Sequence, residues 1–145
     1  MFWGSHDHVL DEKGRTSLPK DFREALQQVE GGAWITAYPH CLAVLPDPAF
    51  EALKAQLTGA SSVVDSVQHL QRLILGMASR CSFDKAGRIL VPPKLRKWAH
   101  LDRDVVFVGL GDKIELWDRT RHEQELEETR VNYSEYTQDL RERRP

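Results

Sequence analysis

The amino-acid sequence predicts an α+β protein that contains two copies of one small β-rich module. A stretch near the N-terminus recurs when the chain is displaced by 73 residues, which indicates an internal repeat. Each copy alternates short apolar runs with turns that contain Gly or Pro. Apolar residues at helical spacing lie between the copies, so helices should connect them. The 145 residues suffice for two modules that share one hydrophobic core.

The repeat is clearest at one turn and at the strand that leaves it. Residues 11–15 read Asp-Glu-Lys-Gly-Arg, and residues 84–88 read Asp-Lys-Ala-Gly-Arg. The glycine in each sequence can adopt the positive φ that an Asp-x-x-Gly turn requires. Proline cannot donate to a β-ladder, so Pro19 and Pro92 should end the outgoing strands. We expect the strands around the two turns at 8–10, 15–18, 80–83 and 88–91.

Each copy should continue with a short helix and a β-hairpin. The helices are predicted over 20–29 and 94–100, and Pro93 suits a first helical turn. The second hairpin should turn at residues 109–112, because Gly-Leu-Gly-Asp is a strong hairpin signal. The hairpin strands are predicted at 33–38, 41–45, 104–109 and 112–117.

The segment between the copies predicts two linker helices. Asp47 and Pro48 provide a capping side chain and a favourable first-turn residue, and Gly59 should end that helix. Ser62 with Asp65 resembles a capping box for the second helix. The apolar stripes of the two helices consist of Phe50, Leu53 and Leu57, and then of Val67, Leu70, Ile74 and Met77.

Asp118 should cap a third helix that extends to about residue 130, and the polar stretch 132–145 is expected to fray or to be disordered. These elements divide the chain into four parts. The predicted parts are a first module at 5–48, linker helices at 49–77, a second module at 78–121, and a C-terminal helix with a polar tail at 122–145.

Basic residues make the two turns candidate DNA-binding loops. A two-stranded ribbon fits the major groove, arginine can bind guanine through two hydrogen bonds, and lysine can bind phosphate. Glycine lets the backbone approach a phosphate closely. The DNA-binding candidates are Lys13, Gly14, Arg15, Lys85, Gly87 and Arg88, and the candidates for orienting the arginines or bonding the turn amides are Asp11 and Asp84.

A plain turn with a solvated arginine explains one such loop, but two loops with matched Asp and Arg favour a function. Arg23 and Arg96 occupy matched positions in the two short helices. For these two residues, a solvated or ion-paired helix arginine is the expected outcome.

Charge is distributed unevenly along the chain. The net charge of −2 argues mildly against nucleic-acid binding, yet segment 84–97 carries five basic side chains and one acidic side chain. Segment 118–145 carries six arginines and eight acidic residues. Phosphate binding depends on local charge, so the basic segment remains compatible with a DNA interface.

The sequence contains no catalytic, metal or cofactor signature. The pairs His6/His8 and His40/Cys41 lack the regular four-ligand spacing of a zinc site. There is no nucleophile elbow and no phosphate-binding Gly-rich loop, so we expect neither an enzyme nor a cofactor or small-molecule substrate. No signal peptide or membrane-length apolar run is present, and two cysteines do not suggest a secreted disulfide scaffold. A cytoplasmic location is expected.

The ordered motifs resemble the MraZ family over nearly the whole chain, to about residue 130. The two loops carry the resemblance, together with Met1-Phe2-x-Gly4, Cys41-Leu42 ahead of Pro46, Leu75-Gly76-x-Ala78-x-x-Cys81 and Glu115-Leu116-Trp117-Asp118. Two features depart from the family pattern. Trp3 stands where a basic residue is frequent, and Thr16-Ser17 stand where apolar residues are usual, which should loosen that strand.

The resemblance implies two AbrB-type swapped-hairpin halves, joined with pseudo-twofold symmetry into one barrel-like unit. It also implies a ring-shaped homo-oligomer that associates with the nucleoid. This ring would bind short direct repeats in double-stranded DNA upstream of a division and cell-wall gene cluster. The cluster would include its own gene and would usually be repressed. The two loops would face the DNA.

An AbrB- or antitoxin-like module that binds a protein partner is the alternative function, with the acidic C-terminal helix as its surface. RNA binding is a variant of the first hypothesis. Stacking aromatic residues beside the loops would favour RNA, and none is adjacent in the sequence.

Overall fold

The computed structural model describes residues 1–59 and 63–143 and has a mixed α+β architecture. The strands are β1 (Phe2–Val9), β2 (Arg15–Ser17), β3 (Ala33–Ala37), β4 (Leu42–Pro46), β5 (Ser79–Cys81), β6 (Arg88–Leu90), β7 (Asp104–Gly111) and β8 (Ile114–Asp118). The helices are α1 (Lys20–Gln27), α2 (Asp47–Gly59), α3 (Asp65–Leu70), α4 (Pro93–Trp98), α5 (Arg119–Val131) and α6 (Tyr133–Glu142), and a π-helical turn (Gln71–Leu75) follows α3.

The strands form one large sheet and one small ribbon. The six-stranded sheet has the order β1-β7-β8-β4-β3-β5, and β2 pairs with β6 alone. All of these pairs are antiparallel. The order explains why distant parts of the sequence share one core, since strands of different copies lie side by side at three places, β1 with β7, β8 with β4, and β3 with β5.

The two copies exchange strands. The strand before the first turn, β1, pairs with β7 of the second copy, and the strand before the second turn, β5, pairs with β3 of the first copy. The outgoing strands β2 and β6 pair with each other, as do the closing strands β4 and β8. Interchanging the two copies leaves this set of pairings unchanged, so neither copy completes its sheet alone.

The principal core lies between the sheet, the ribbon and the short helices. Its fully buried side chains include Ile35, Leu42, Val91, Phe107 and Leu116. Burying a side chain of this size stabilises the fold by about 1.5–3 kcal/mol. A smaller cluster formed by Ala43, Leu45 and Phe50 packs α2 against the other side of the sheet.

Strand β1 is longer than the prediction of 8–10. It begins at Phe2 and stays in register with β7 from Phe2–Gly111 to Val9–Asp104. Most of its side chains are exposed because it is an edge strand, so its sequence lacks the apolar alternation that marks a half-buried strand. Phe2 is buried and contributes to the principal core.

The second hairpin turns two residues later than predicted. Gly109 and Leu110 belong to β7, and the Leu110 N–H donates to the Lys113 carbonyl across the turn (2.9 Å). Gly111 has φ = +85° there. Gly109 serves a different purpose, because a Cβ at that position would lie 2.4 Å from the Phe2 carbonyl carbon. The glycine therefore permits the close approach of β1.

The linker helices differ from the prediction in their second half. Helix α2 runs from Asp47 to Gly59, close to the predicted limits, but the Asp47 carboxylate accepts a hydrogen bond from Trp34 Nε1 (2.9 Å) instead of the predicted capping bond. Helix α3 changes after Leu70 into a π-helical turn, where the Gly76 N–H donates to the Gln71 carbonyl (3.2 Å). The predicted capping residue Ser62 lies outside the described residues.

The predicted disorder of the polar tail is wrong over Tyr133–Glu142, which form α6. Helix-favouring residues and local side-chain bonds, such as Gln138 Nε2 to Glu142 (3.2 Å), support this helix without a buried face. Helix α5 follows Asp118 as predicted, and the Asp118 carboxylate accepts from the Arg121 N–H (3.1 Å). Helices α1 and α4 each end two residues before their predicted limits.

Candidate nucleic-acid interface

The first loop, residues 11–15, is organised around the Asp11 carboxylate. Its Oδ1 accepts hydrogen bonds from the Lys13 N–H (3.0 Å) and the Arg15 N–H (2.8 Å). Its Oδ2 accepts from Arg15 Nε (2.9 Å), and this contact is also an ion pair. The backbone closes the turn through the Gly14 N–H, which donates to the Asp11 carbonyl (3.0 Å). Asp11 thus fixes both the backbone of the turn and the position of Arg15 Nε.

The second loop, residues 84–88, repeats this arrangement. Asp84 Oδ1 accepts from the Ala86 and Arg88 N–H groups, both at 2.9 Å, and Oδ2 accepts from Arg88 Nε at 2.9 Å. The Gly87 N–H donates to the Asp84 carbonyl (3.0 Å). The two loops therefore share one hydrogen-bonding scheme although Lys13 in the first is replaced by Ala86 in the second.

Both loop glycines are buried and left-handed. Gly14 has φ = +85° and Gly87 has φ = +77°. A left-handed conformation strains any residue with a Cβ, which explains why glycine follows the same turn in both copies.

The ribbon of β2 and β6 places the two loop arginines on one face. Thr16 and Ile89 pair across the ribbon, and each is only 1% exposed. Strand side chains alternate between faces, so Arg15 and Arg88 lie on the outward face. Arg15 is opposite Leu90, two residues from Arg88, which puts the two arginine backbones at a diagonal spacing of about 7–8 Å. Thr16 occupies the core despite its hydroxyl, whose hydrogen bond to the Ser17 carbonyl is long (3.5 Å).

Each loop also contacts the short helix of the other copy. The space beside Gly14 is filled by Arg96 of α4, whose Cζ would be 2.8 Å from a Cβ at position 14. The space beside Gly87 is filled by Arg23 of α1, whose Cδ would be 2.8 Å from a Cβ at position 87. The strand exchange is the reason for this crossing. Both arginines are partly exposed, as expected of helix arginines, but neither forms an ion pair among the described residues, and Arg96 Nε is buried without a hydrogen-bond partner.

The hydrogen bonds within both loops favour ionised aspartates. Hydrogen bonds from Arg15 to the Asp11 carboxylate, the backbone N–H first, lower the pKa of Asp11 below its ordinary value. The equivalent bonds from Arg88 lower the pKa of Asp84. Lys13 and Lys85 are exposed at the loops. Each aspartate pairs with the arginine of its own loop, so Lys85 gives the second loop a net positive charge, whereas Glu12 balances Lys13 in the first loop.

Other chemistry-bearing groups lie apart from the loops. Burial raises the pKa of the Cys81 thiol to about 12, and burial followed by the charge of Glu115 raises the pKa of Cys41 well above its usual range. Within residues 1–59 and 63–143, no group of three or more His, Cys, Asp or Glu side chains could hold a metal ion. In the same residues, no helix has both the length and the apolar character to cross a membrane.

Comparison with known proteins agrees with the internal repeat. The family model of the MraZ protein, described as antitoxin-like, matches residues 1–73 and again residues 74–144. Two matched units in one chain define a class of tandem two-module proteins with one loop of the Asp-x-x-Gly-Arg type per module. The chain belongs to the MraZ family, so the resemblance seen in the sequence is confirmed.

Three relatives illustrate the similarity, and each is named transcriptional regulator MraZ. The protein of Escherichia coli K12 is 39% identical over 146 residues, which cover 99% of this chain and 96% of that one. The protein of Solidesulfovibrio magneticus is 33% identical over 143 residues, with 97% and 94% covered. The protein of Thioalkalivibrio sulfidiphilus is 43% identical over 120 residues, with 81% and 80% covered.

The sequence identified the residues of each loop but not how the loops meet. All eight predicted site residues lie in the two loops or at the start of β2 and β6. The repeat gave no direct indication that β2 pairs with β6, or that the helix arginines cross between copies. The matched positions of Arg23 and Arg96 in the repeat were the available signal.

Proposed function

We propose that this protein is a sequence-specific, DNA-binding transcription regulator. The observation that carries the proposal is the ribbon of β2 and β6, which presents Arg15 and Arg88 on one outward face beside two equivalent loops. The names of the relatives support regulation of transcription. Association with the nucleoid follows from DNA binding.

Each loop would divide recognition between two kinds of contact. The aspartate holds arginine Nε, which leaves the two terminal nitrogens of each guanidinium free to approach guanine O6 and N7. Lys13 and Lys85 would contact phosphates. Pre-orienting the arginines lowers the entropy lost on binding.

The finer architecture proposed for the monomer is that of two AbrB-type halves with swapped hairpins in one barrel-like unit. The reciprocal pairing of β1 with β7 and of β5 with β3 supports it. The module limits at 5–48 and 78–121 stay predictions.

Several such units would assemble as a ring. One ribbon contacts few base pairs, and several ribbons on one face would bind direct repeats of one duplex with high effective concentration. Exposed apolar side chains on the C-terminal helices are candidate subunit contacts, namely Leu126 (56% exposed), Val131, Tyr133 (64%), Tyr136 and Leu140 (65%). Binding repeats upstream of its own gene and of a division and cell-wall gene cluster would repress them.

Fluorescence anisotropy tests the proposal directly. The protein is titrated with DNA from upstream of its own gene and with a scrambled duplex, over a series of salt concentrations. We expect tighter binding to the upstream DNA, a steep loss of affinity with salt, and loss of the preference in Arg15→Ala or Arg88→Ala. Equal, weak binding of both duplexes would falsify the sequence-specific function.

The same exposed apolar residues support a second candidate function, the binding of a protein partner by α5 and α6. Light scattering of the purified protein separates the two uses of this surface. A ring that dissociates in Leu140→Ser supports self-assembly. A monomer that forms a stoichiometric complex with another protein through α6 supports the partner-binding function.

A further inference from the structure

We propose that Arg23 and Arg96 form two phosphate-binding sites, in which the short helix of one copy serves the loop of the other. The inference rests on the proposed DNA binding and adds to it two residues outside the loop motif. Arg96 would serve the first loop at Gly14, and Arg23 would serve the second loop at Gly87. The two sites flank the β2–β6 ribbon symmetrically.

The side chain of Arg96 packs closely against the first loop. Its Cζ and Nε would both lie 2.8 Å from a Cβ at position 14, so the guanidinium packs directly against the Gly14 backbone. The Gly14 carbonyl accepts from the Val91 N–H (2.7 Å), which ties the same backbone to the end of β6. Arg96 is thus held beside the first loop, in a cleft that Asp11, Glu12 and Asp102 also line.

Arg96 lacks the partner that such a position normally requires. Its Nε is fully buried and donates no hydrogen bond. Among residues 1–59 and 63–143, the Arg96 side chain forms no ion pair closer than 4.0 Å. Burying part of a charged group without a partner is unfavourable, and the cost is recovered when an anion binds.

The Arg23 site has the same construction. Its Cδ, Nη1 and Nε would lie 2.8, 3.0 and 3.2 Å from a Cβ at position 87. In the described part of the chain, its guanidinium also has no ion-pair partner. The loop carboxylates of Asp11 and Asp84 are bonded to Arg15 and Arg88.

Phosphate is the anion that fits both sites. A planar guanidinium matches two phosphate oxygens, and each glycine, which lacks a Cβ, leaves the space that the guanidinium occupies beside the loop. The sites lie next to the outward ribbon face that carries Arg15 and Arg88. A duplex whose bases meet that ribbon would pass its backbones over the flanking helices.

The two sites differ in local charge. Helix α4 carries Lys94 and Lys97 together with Arg96 and has no acidic residue. Helix α1 carries Asp21 and Glu24, and its Lys20 lies 3.9 Å from Glu24. Arg96 should therefore contribute more to DNA affinity than Arg23. The exchange of strands also brings the basic α4 to the loop that holds Lys13.

The test measures affinity for the upstream and scrambled duplexes across a salt series with Arg96→Met, Arg96→Lys and Arg23→Met. Arg130→Met is the matched control, because Arg130 is an exposed arginine of α5 that belongs to neither loop and to neither short helix. We expect Arg96→Met to weaken binding of both duplexes by a similar factor, on the order of tenfold. The slope of log K against log[salt] should fall by about 0.9 for one lost phosphate contact.

Arg96→Lys should retain the salt slope with intermediate affinity, Arg23→Met should lose less affinity than Arg96→Met, and Arg130→Met should bind as wild type does. A purely structural role predicts instead that Arg96→Lys behaves like Arg96→Met, with an unchanged salt slope. Unfolding in urea verifies that each variant is folded. If Arg96→Met does not fold, NMR of ¹⁵N-arginine-labelled wild type replaces it. The proposed phosphate contact requires the Nε–Hε resonance of Arg96 to shift when scrambled duplex is added, and an unchanged resonance would refute the contact.

Failure of this inference is distinguishable from failure of the proposed function. If Arg15→Ala abolishes binding while Arg96→Met keeps the wild-type affinity and salt slope, the phosphate sites are refuted. The proposed DNA binding by the loops is then retained. If wild type binds both duplexes equally and Arg96→Met still reduces the slope, sequence specificity is refuted and the phosphate sites stand.

Discussion

Gly14→Ala measures how strictly the first loop depends on its left-handed backbone. At φ = +85°, alanine is strained, and such a conformation costs about 1–3 kcal/mol for a residue with a Cβ. The new methyl group would also lie 2.8 Å from the Val91 carbonyl oxygen and 2.8 Å from Arg96 Cζ. The Val91 oxygen belongs to the backbone and cannot rotate away, so overpacking adds about 1–3 kcal/mol. We expect a total loss of about 2–6 kcal/mol in the free energy of unfolding.

Urea unfolding followed by circular dichroism, at one fixed protein concentration, provides the measurement. Gly59→Ala is the matched control, because Gly59 is helical and nothing lies within 4 Å of its Cβ position. That control should stabilise the protein by about 0.5–1 kcal/mol. If Gly14→Ala changes the free energy of unfolding by less than about 0.5 kcal/mol, within the range of ordinary surface substitutions, the reasoning about the loop is refuted.

Three further predictions concern the core, the loop aspartates and the thiols. Thr16→Val should raise the free energy of unfolding by about 1 kcal/mol, because the buried hydroxyl has only a long hydrogen bond; a decrease in urea unfolding would contradict this. The folded-state pKa of Asp84 is lowered, so its contribution to stability is present above pH 3.8 and is lost as the pH falls through the folded pKa. The gap in urea midpoint between wild type and Asp84→Asn should therefore close in acid, and a gap that persists at pH 2 rejects the Asp84–Arg88 bond; Asp11 should behave alike. Burial raises the pKa of Cys41 and Cys81, so both thiols should react slowly with a disulfide reagent at pH 8 until the protein is unfolded; rapid reaction of the folded protein would show an accessible thiolate.

The local geometry of the loops could be predicted because it depends on neighbouring residues. Asp, Gly and Arg at fixed spacing determine the turn, and the hydrogen bonds of Asp11 and Asp84 span only two to four residues. The pattern occurs twice in one chain, and this repetition supported the prediction of two matched loops. The helix start after Asp118 follows the same logic, since a capping side chain acts on the next turn.

The exchange of strands could not be predicted from the residues because strand partners are chosen by distant contacts. The apolar alternation of β3 or β7 determines which face is buried, but either copy could supply the neighbouring strand. Strand β1 gave a weak signal for the same reason: an edge strand needs apolar residues only where it meets the core, as at Phe2. The role proposed for Arg96 depends on this exchange, so it could not be predicted from the sequence either.

Helix α6 was missed because its sequence is polar. Its apolar side chains are limited to Tyr133, Tyr136 and Leu140, and all three are exposed in the monomer. Its exposed Tyr133 and Leu140 are understandable if another subunit covers them.

Photocross-linking tests most directly whether the paired loops contact DNA. p-Benzoylphenylalanine is introduced in place of Lys13, Lys85 or, as a control on α6, Gln138, and each folded variant is irradiated with the upstream duplex. The proposed interface predicts DNA cross-links from positions 13 and 85 and none from position 138. Cross-links confined to position 138 would contradict it and would place the DNA on the C-terminal helices instead of the ribbon.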